Sequence, residues 1–82
     1  VTPRTPQNPK SQRALGSAIR ELRNKQGDSL ETLAGEAGIT KNMLSLIERG
    51  EGNPSWTTVE GIAQALGVSM VELVKLTEKR KP

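Results

Sequence analysis

Few residues in this chain could do chemistry on a small molecule. Cysteine and histidine are both absent. Their absence removes disulfides, thiolate nucleophiles, the commonest general base and the commonest metal ligand. Glu48 and Glu51 are two carboxylates at close spacing, but nothing in the flanking sequence suggests a pocket between them. No nucleophile–base pair, glycine-rich phosphate loop or metal cluster can be assembled from the remainder, so neither an enzyme nor a cofactor is expected. What is left is a polar set, Lys41, Asn42, Ser45 and Arg49, with Leu46 among them. Helical spacing spreads these residues over the outer face of one short element.

The charge points the same way. The 82 residues carry a formal net charge of +3, unevenly placed. Arg4, Lys10 and Arg13 stand in the first thirteen residues without an acid, and Lys75, Lys79, Arg80 and Lys81 outnumber Glu78 at the other end. The intervening stretch is acidic on balance. Basic flanks of this kind suit a polyanion, although solubilising tails would look alike. The apolar runs are too short to span a bilayer, and no secretory leader opens the sequence. The expectation is a single soluble domain inside the cell, with no membrane and no small molecule as partner.

The elements that must position the polar set are helices. Val1–Lys10 carries three prolines and no apolar period, and reads as a disordered basic arm. From Ser11 onward Leu15, Ala18, Ile19 and Leu22 recur at three- and four-residue steps. Three triplets, Gly27-Asp28-Ser29, Gly38-Ile39-Thr40 and Gly67-Val68-Ser69, share one pattern. Each offers a glycine to close a helix and a hydroxyl to cap the next. Gly50 closes a further helix, Ser55 opens another, and Ser69 with Glu72 makes a capping box. Five helices follow, at about 11–26, 30–37, 41–49, 56–66 and 70–77, with no strand. The domain is expected over 11–77, and 78–82 reads as a basic tail or the start of a linker.

Helices two and three span about two turns each, and only tertiary packing can hold helices so short. Leu33, Ala34 and Ala37 share a face of helix two, Leu44 and Ile47 a face of helix three, and Ala34 is small enough for a close crossing. Gly16, Gly35 and Gly61 lie inside helices, where close approach of a neighbour is the usual reason. Trp56, the one aromatic residue, is expected in the core.

The run Leu33-Ala34, Gly38-Ile39, Leu44 and Ile47-Glu48-Arg49-Gly50 resembles the helix-turn-helix of the Cro/phage-repressor (xenobiotic-response-element) family. The likeness continues through Asn53-Pro54-Ser55 and Ala63-Gln64-Ala65-Leu66-Gly67-Val68-Ser69, and covers about 15–76. It implies an all-α, compact five-helix bundle of the lambda-repressor-like kind. It also implies a regulator that binds double-stranded operator DNA, usually as a dimer, with helix three in the major groove. Carried over residue by residue, base reading falls to Lys41, Asn42, Ser45 and Leu46. Asparagine can pair with the N6/N7 edge of adenine, lysine can donate to guanine, and leucine can meet a thymine methyl. Arg49, Gly52 and Asn53 fall where the family's loop approaches phosphate, and Arg4 and Lys10 would add phosphate contacts from the arm. The likeness further implies an ion pair between Arg23 and Glu48.

One departure is informative. The family commonly has glutamine where this chain has Leu30, and an apolar residue where it has Asp28. Leu30 is expected to pack inward, which leaves Ser29 as the phosphate contact of that corner. In helix five Met70, Val71, Leu73, Val74 and Leu76 cover more than half the circumference. The surplus, Met70, Val71, Val74 and Leu76, is expected to form a homodimer contact. Two other readings stay open: a protein-interaction module of the same fold, of antitoxin or coactivator type, and the N-terminal DNA-binding domain of a longer ligand-sensing regulator.

Overall fold

A computed structural model describes residues 9–81. Among them lie five α-helices and no strand: α1 (Pro9–Gln26), α2 (Leu30–Ala37), α3 (Lys41–Glu48), α4 (Trp56–Leu66) and α5 (Met70–Lys79). α1 packs on α3 and α5, while α2 packs on α4 and α3.

The punctuation of the sequence works as local chemistry requires. Ser29, Thr40, Ser55 and Ser69 are extended N-caps whose hydroxyls accept from the backbone N–H three residues on. Each satisfies one donor that the first helical turn leaves unpaired. Ser69 and Glu72 close the expected capping box. Gly38 ends α2 at φ 76°, a left-handed conformation that a β-carbon would strain. From there the Ile39 N–H reaches back 2.9 Å to the Ala34 carbonyl, so the chain turns sharply into α3.

The core is small and continuous. Ala18 and Ile19 of α1 meet Leu33 and Ala34 of α2, Leu44 and Ile47 of α3, Ile62, Ala63 and Leu66 of α4, and Leu73 of α5. Among the described residues no charged or polar residue is fully buried with them. Glycine sets the closest helix approaches. A β-carbon on Gly16 would lie 2.3 Å from the Ile47 carbonyl oxygen and 2.5 Å from that of Glu48. One on Gly61 would lie 3.0 Å from the Ala37 oxygen. Gly35 faces open space, so the close-approach explanation does not extend to it.

Three expectations need correction. The first helix begins at Pro9, not Ser11, because proline's fixed φ and missing N–H suit a first helical turn. Lys10 is therefore an exposed residue of α1 and not of an arm; Arg4 lies outside the described residues. The last helix continues to Lys79, so 78–79 are not tail. Its end is tied down as Arg80 pairs with Glu21 and donates to the Ser17 hydroxyl at 2.7 Å. Trp56 is 65% exposed. As the first residue of α4 it lies at the rim of a surface cleft shared with Leu15, Pro54, Val59, Met70 and Val74, not within the core.

Candidate nucleic-acid interface

The rotation of α3 is fixed from inside. Leu44 and Ile47 are buried, and the Thr40 hydroxyl accepts from the Met43 N–H at 3.0 Å. These constraints turn Lys41, Asn42 and Leu46 outward into solvent, with Ser45 half-buried beside them. All four expected reading residues thus share one outer face. Met43, 44% exposed, joins Leu46, 40% exposed, on that surface.

At the far end of α3 the Arg23 guanidinium holds the helix to its neighbours. Its Nε donates to Glu48 Oε2 at 2.7 Å and its Nη2 to Oε1 at 3.0 Å. The remaining Nη1 donates to the Asp28 carbonyl at 3.0 Å. The two side chains are only 13% and 6% exposed. The hydrogen bond to Glu48 raises the Arg23 pKa above its ordinary value, outweighing the opposing effect of burial. One side chain thereby joins α1, the α1–α2 turn and α3, and sets the attitude of the outer face.

A second ion pair touches that face directly. Lys41 Nζ lies 3.5 Å from Glu31 Oε1 on α2, both well exposed. Sequence reading did not find it, because the partners sit on different helices at no diagnostic spacing. Such a pair contributes little to stability, but it biases where the lysine head points.

The expected phosphate-contact residues are dispersed around this face. Ser29 caps α2 and its hydroxyl donates to Thr32 Oγ1 at 3.0 Å, so its proton is already engaged. Leu30 packs against the core, as expected from its place beside Asp28. Arg49 caps α3 and lies 3.5 Å from Glu51. Gly52 and Asn53 line a small cleft with Met43, Leu46, Pro54 and Thr58, between α3 and the start of α4. Among the described residues no group of histidine, cysteine and carboxylate side chains could hold a metal ion. No described helix is long and apolar enough to cross a membrane.

The helix-turn-helix family model matches residues 19–73. The chain belongs to the helix-turn-helix family, of the Cro/phage-repressor type. An uncharacterized helix-turn-helix-type transcriptional regulator of Sinorhizobium fredii is 42% identical over 65 residues, covering 79% of this chain and 84% of that protein. The regulator DdrOP3 of Deinococcus deserti is 38% identical over 64 residues, covering 78% of this chain but only 50% of its own length. The helix-turn-helix chain therefore spans most of one relative and half of another. Among solved structures, the clp gene regulator ClgR of Corynebacterium glutamicum superposes with a TM-score of 0.84 at 26% identity, covering 96% of this chain and 100% of that one. The restriction-modification controller C.Esp1396I, solved as a tetramer with its natural 35-base-pair operator, gives 0.79 at 26% identity, covering 85% and 92%. The five-helix reading from sequence agrees with these neighbours.

Proposed function

We propose that this protein is a sequence-specific DNA-binding transcriptional regulator of repressor type that docks α3 in the major groove of operator DNA. One observation carries the reading. The outer face of α3 presents Lys41, Asn42, Ser45 and Leu46 together, while its inner face is committed to the core. Donors, acceptors and an apolar contact arranged in that way match the edges of base pairs in the major groove. The relatives named as transcriptional regulators support it, as does the operator-bound neighbour. Arg49, Gly52, Asn53 and Lys10 would meet phosphate around the reading face, as would Ser29 once its hydroxyl turns from Thr32, and Arg4 is proposed for the same role, fixing register without reading sequence.

The same reading includes a homodimer. Val71 and Val74 are exposed on α5 and form an apolar contact suited to a two-fold axis. Met70 and Leu76 are largely spent on the protomer's own core, so they would rim that contact and not centre it. Two reading helices related in this way address half-sites about one DNA turn apart. The site of action is the cytoplasm, with the DNA.

Selection of bound duplexes from a random pool tests the proposal. Enrichment of a two-fold repeated motif is the expected result. A pool that stays random while the protein is folded would overturn it and favour a protein-interaction role for Met43 and Leu46.

A further inference from the structure

The edge of α1 that borders α3 carries a feature that the reading face does not use. Arg13, Gly16, Arg20 and Arg23 follow one another at steps of three, four and three residues, and so form a single row along the helix. Two members of the row touch α3: Gly16 lies against the Ile47 and Glu48 carbonyls, and Arg23 binds Glu48. Arg13 packs its stem over Gly50, where a β-carbon would lie 2.6 Å from Arg13 Cγ. The row therefore runs beside the C-terminal half of α3. Arg13 and Arg20 are both exposed, and neither side chain has an ion-pair or hydrogen-bond partner among the described residues. Glu21, the one acid on α1, is occupied by Arg80 and Lys25. Lys10 adds a third exposed cation one turn before Arg13.

We infer that Arg13 and Arg20 form a phosphate-binding track on α1, which grips the DNA backbone beside the groove that α3 enters. The inference rests on the DNA-binding reading above. Packed helices lie about 8–10 Å apart, whereas the major groove is about 12 Å wide. A helix packed beside one that sits in the groove is therefore carried over the flanking backbone. Arg13 and Arg20 are seven residues apart, about 10 Å along the axis, a span over which a duplex presents roughly six negative charges. No acid in the row opposes them. Their distance from the reading residues at the start of α3 makes the track independent of sequence.

A competing role exists, because a cation packed at the C-terminal end of α3, as Arg13 is over Gly50, also favours the dipole of that helix. The experiment separates the two. Binding to a random-sequence duplex and to the selected operator is measured by fluorescence anisotropy across a series of salt concentrations. The proteins compared are the wild type, Arg13→Gln/Arg20→Gln, and Lys25→Gln as an off-row control of charge loss, with thermal melting in parallel. The double variant is expected to flatten the log–log salt slope by about 1.8, at about 0.9 per lost phosphate contact. Its operator-to-random affinity ratio should stay within about twofold, and Lys25→Gln should leave the slope unchanged. An unchanged slope in a double variant with a lowered melting midpoint would assign the arginines to the dipole and overturn the inference. Equal flattening by Lys25→Gln would overturn it too, since net charge alone would then explain the effect. In either case the DNA-binding reading stands. A wild type that binds no duplex at any salt would overturn that reading, and this inference with it.

Discussion

Replacing Arg23 with methionine keeps the aliphatic stem and removes the guanidinium. Glu48, 6% exposed, then loses both donors, and the Asp28 carbonyl loses one. Hydrogen bonds to charged groups contribute about 1.5–3 kcal/mol each. Removing one partner costs about 1 kcal/mol or less for an exposed ion pair and about 3–5 kcal/mol for a buried one; for this part-buried pair we expect about 2–4 kcal/mol, not the sum of bonds, because the freed carboxylate relaxes toward water. An 82-residue domain has about 4–12 kcal/mol of stability at typical values per residue. The variant should therefore lose a substantial part of it, and its melting midpoint should fall by roughly 8–32 °C at about 4–8 °C per kcal/mol. Urea titration at pH 7 followed by circular dichroism gives the free energy by linear extrapolation. The double variant Arg23→Met/Glu48→Leu removes both charges and should recover most of the loss, since an apolar pair often matches a buried ion pair. A cost below about 1 kcal/mol for Arg23→Met would place the pair among exposed ones and refute its role in fixing α3.

Gly16→Ala should destabilise by about 1–3 kcal/mol or more, because its β-carbon meets backbone carbonyls that cannot swing aside. Gly35→Ala, facing open space, should instead gain about 0.5–1 kcal/mol in the same urea assay. Asn42→Ala should weaken operator binding by about 1–3 kcal/mol and relax preference at one base pair. Equal loss on random DNA would count against base reading. A base whose pKa is raised on folding, as for Arg23, stabilises below its unfolded pKa and loses that stability as pH rises through the folded value, here in strong alkali. With no histidine in the chain, the melting midpoint should be flat between about pH 6 and 9. Trp56 should emit as a solvent-exposed indole, and Trp56→Ala should cost about 0.5 kcal/mol or less.

Legibility in the sequence tracked the presence of local signals. α2 and α4 have the boundaries expected of them, because each carries a hydroxyl cap at one end and a glycine at the other. The outer ends of α1 and α5 carried no such marks. Pro9 resembled the arm before it, and α5 is extended by Arg80 reaching α1, a tertiary contact no local pattern encodes. Trp56 was misplaced by the assumption that apolar means buried, which fails for a residue at the rim of a surface cleft. The outer face of α3 was legible as the complement of Leu44 and Ile47. The Arg23–Glu48 pair was legible only through family resemblance, and the Lys41–Glu31 pair not at all.

α3 divides its eight residues cleanly. Leu44, Ile47 and Glu48 hold it in place from the inside, while Lys41, Asn42, Met43, Ser45 and Leu46 contribute nothing to the core cluster. The outer positions are therefore an interchangeable cassette. A new set of side chains there would alter which DNA is addressed without asking the scaffold to refold, and a change of target is open to the chain by as few as one or two substitutions.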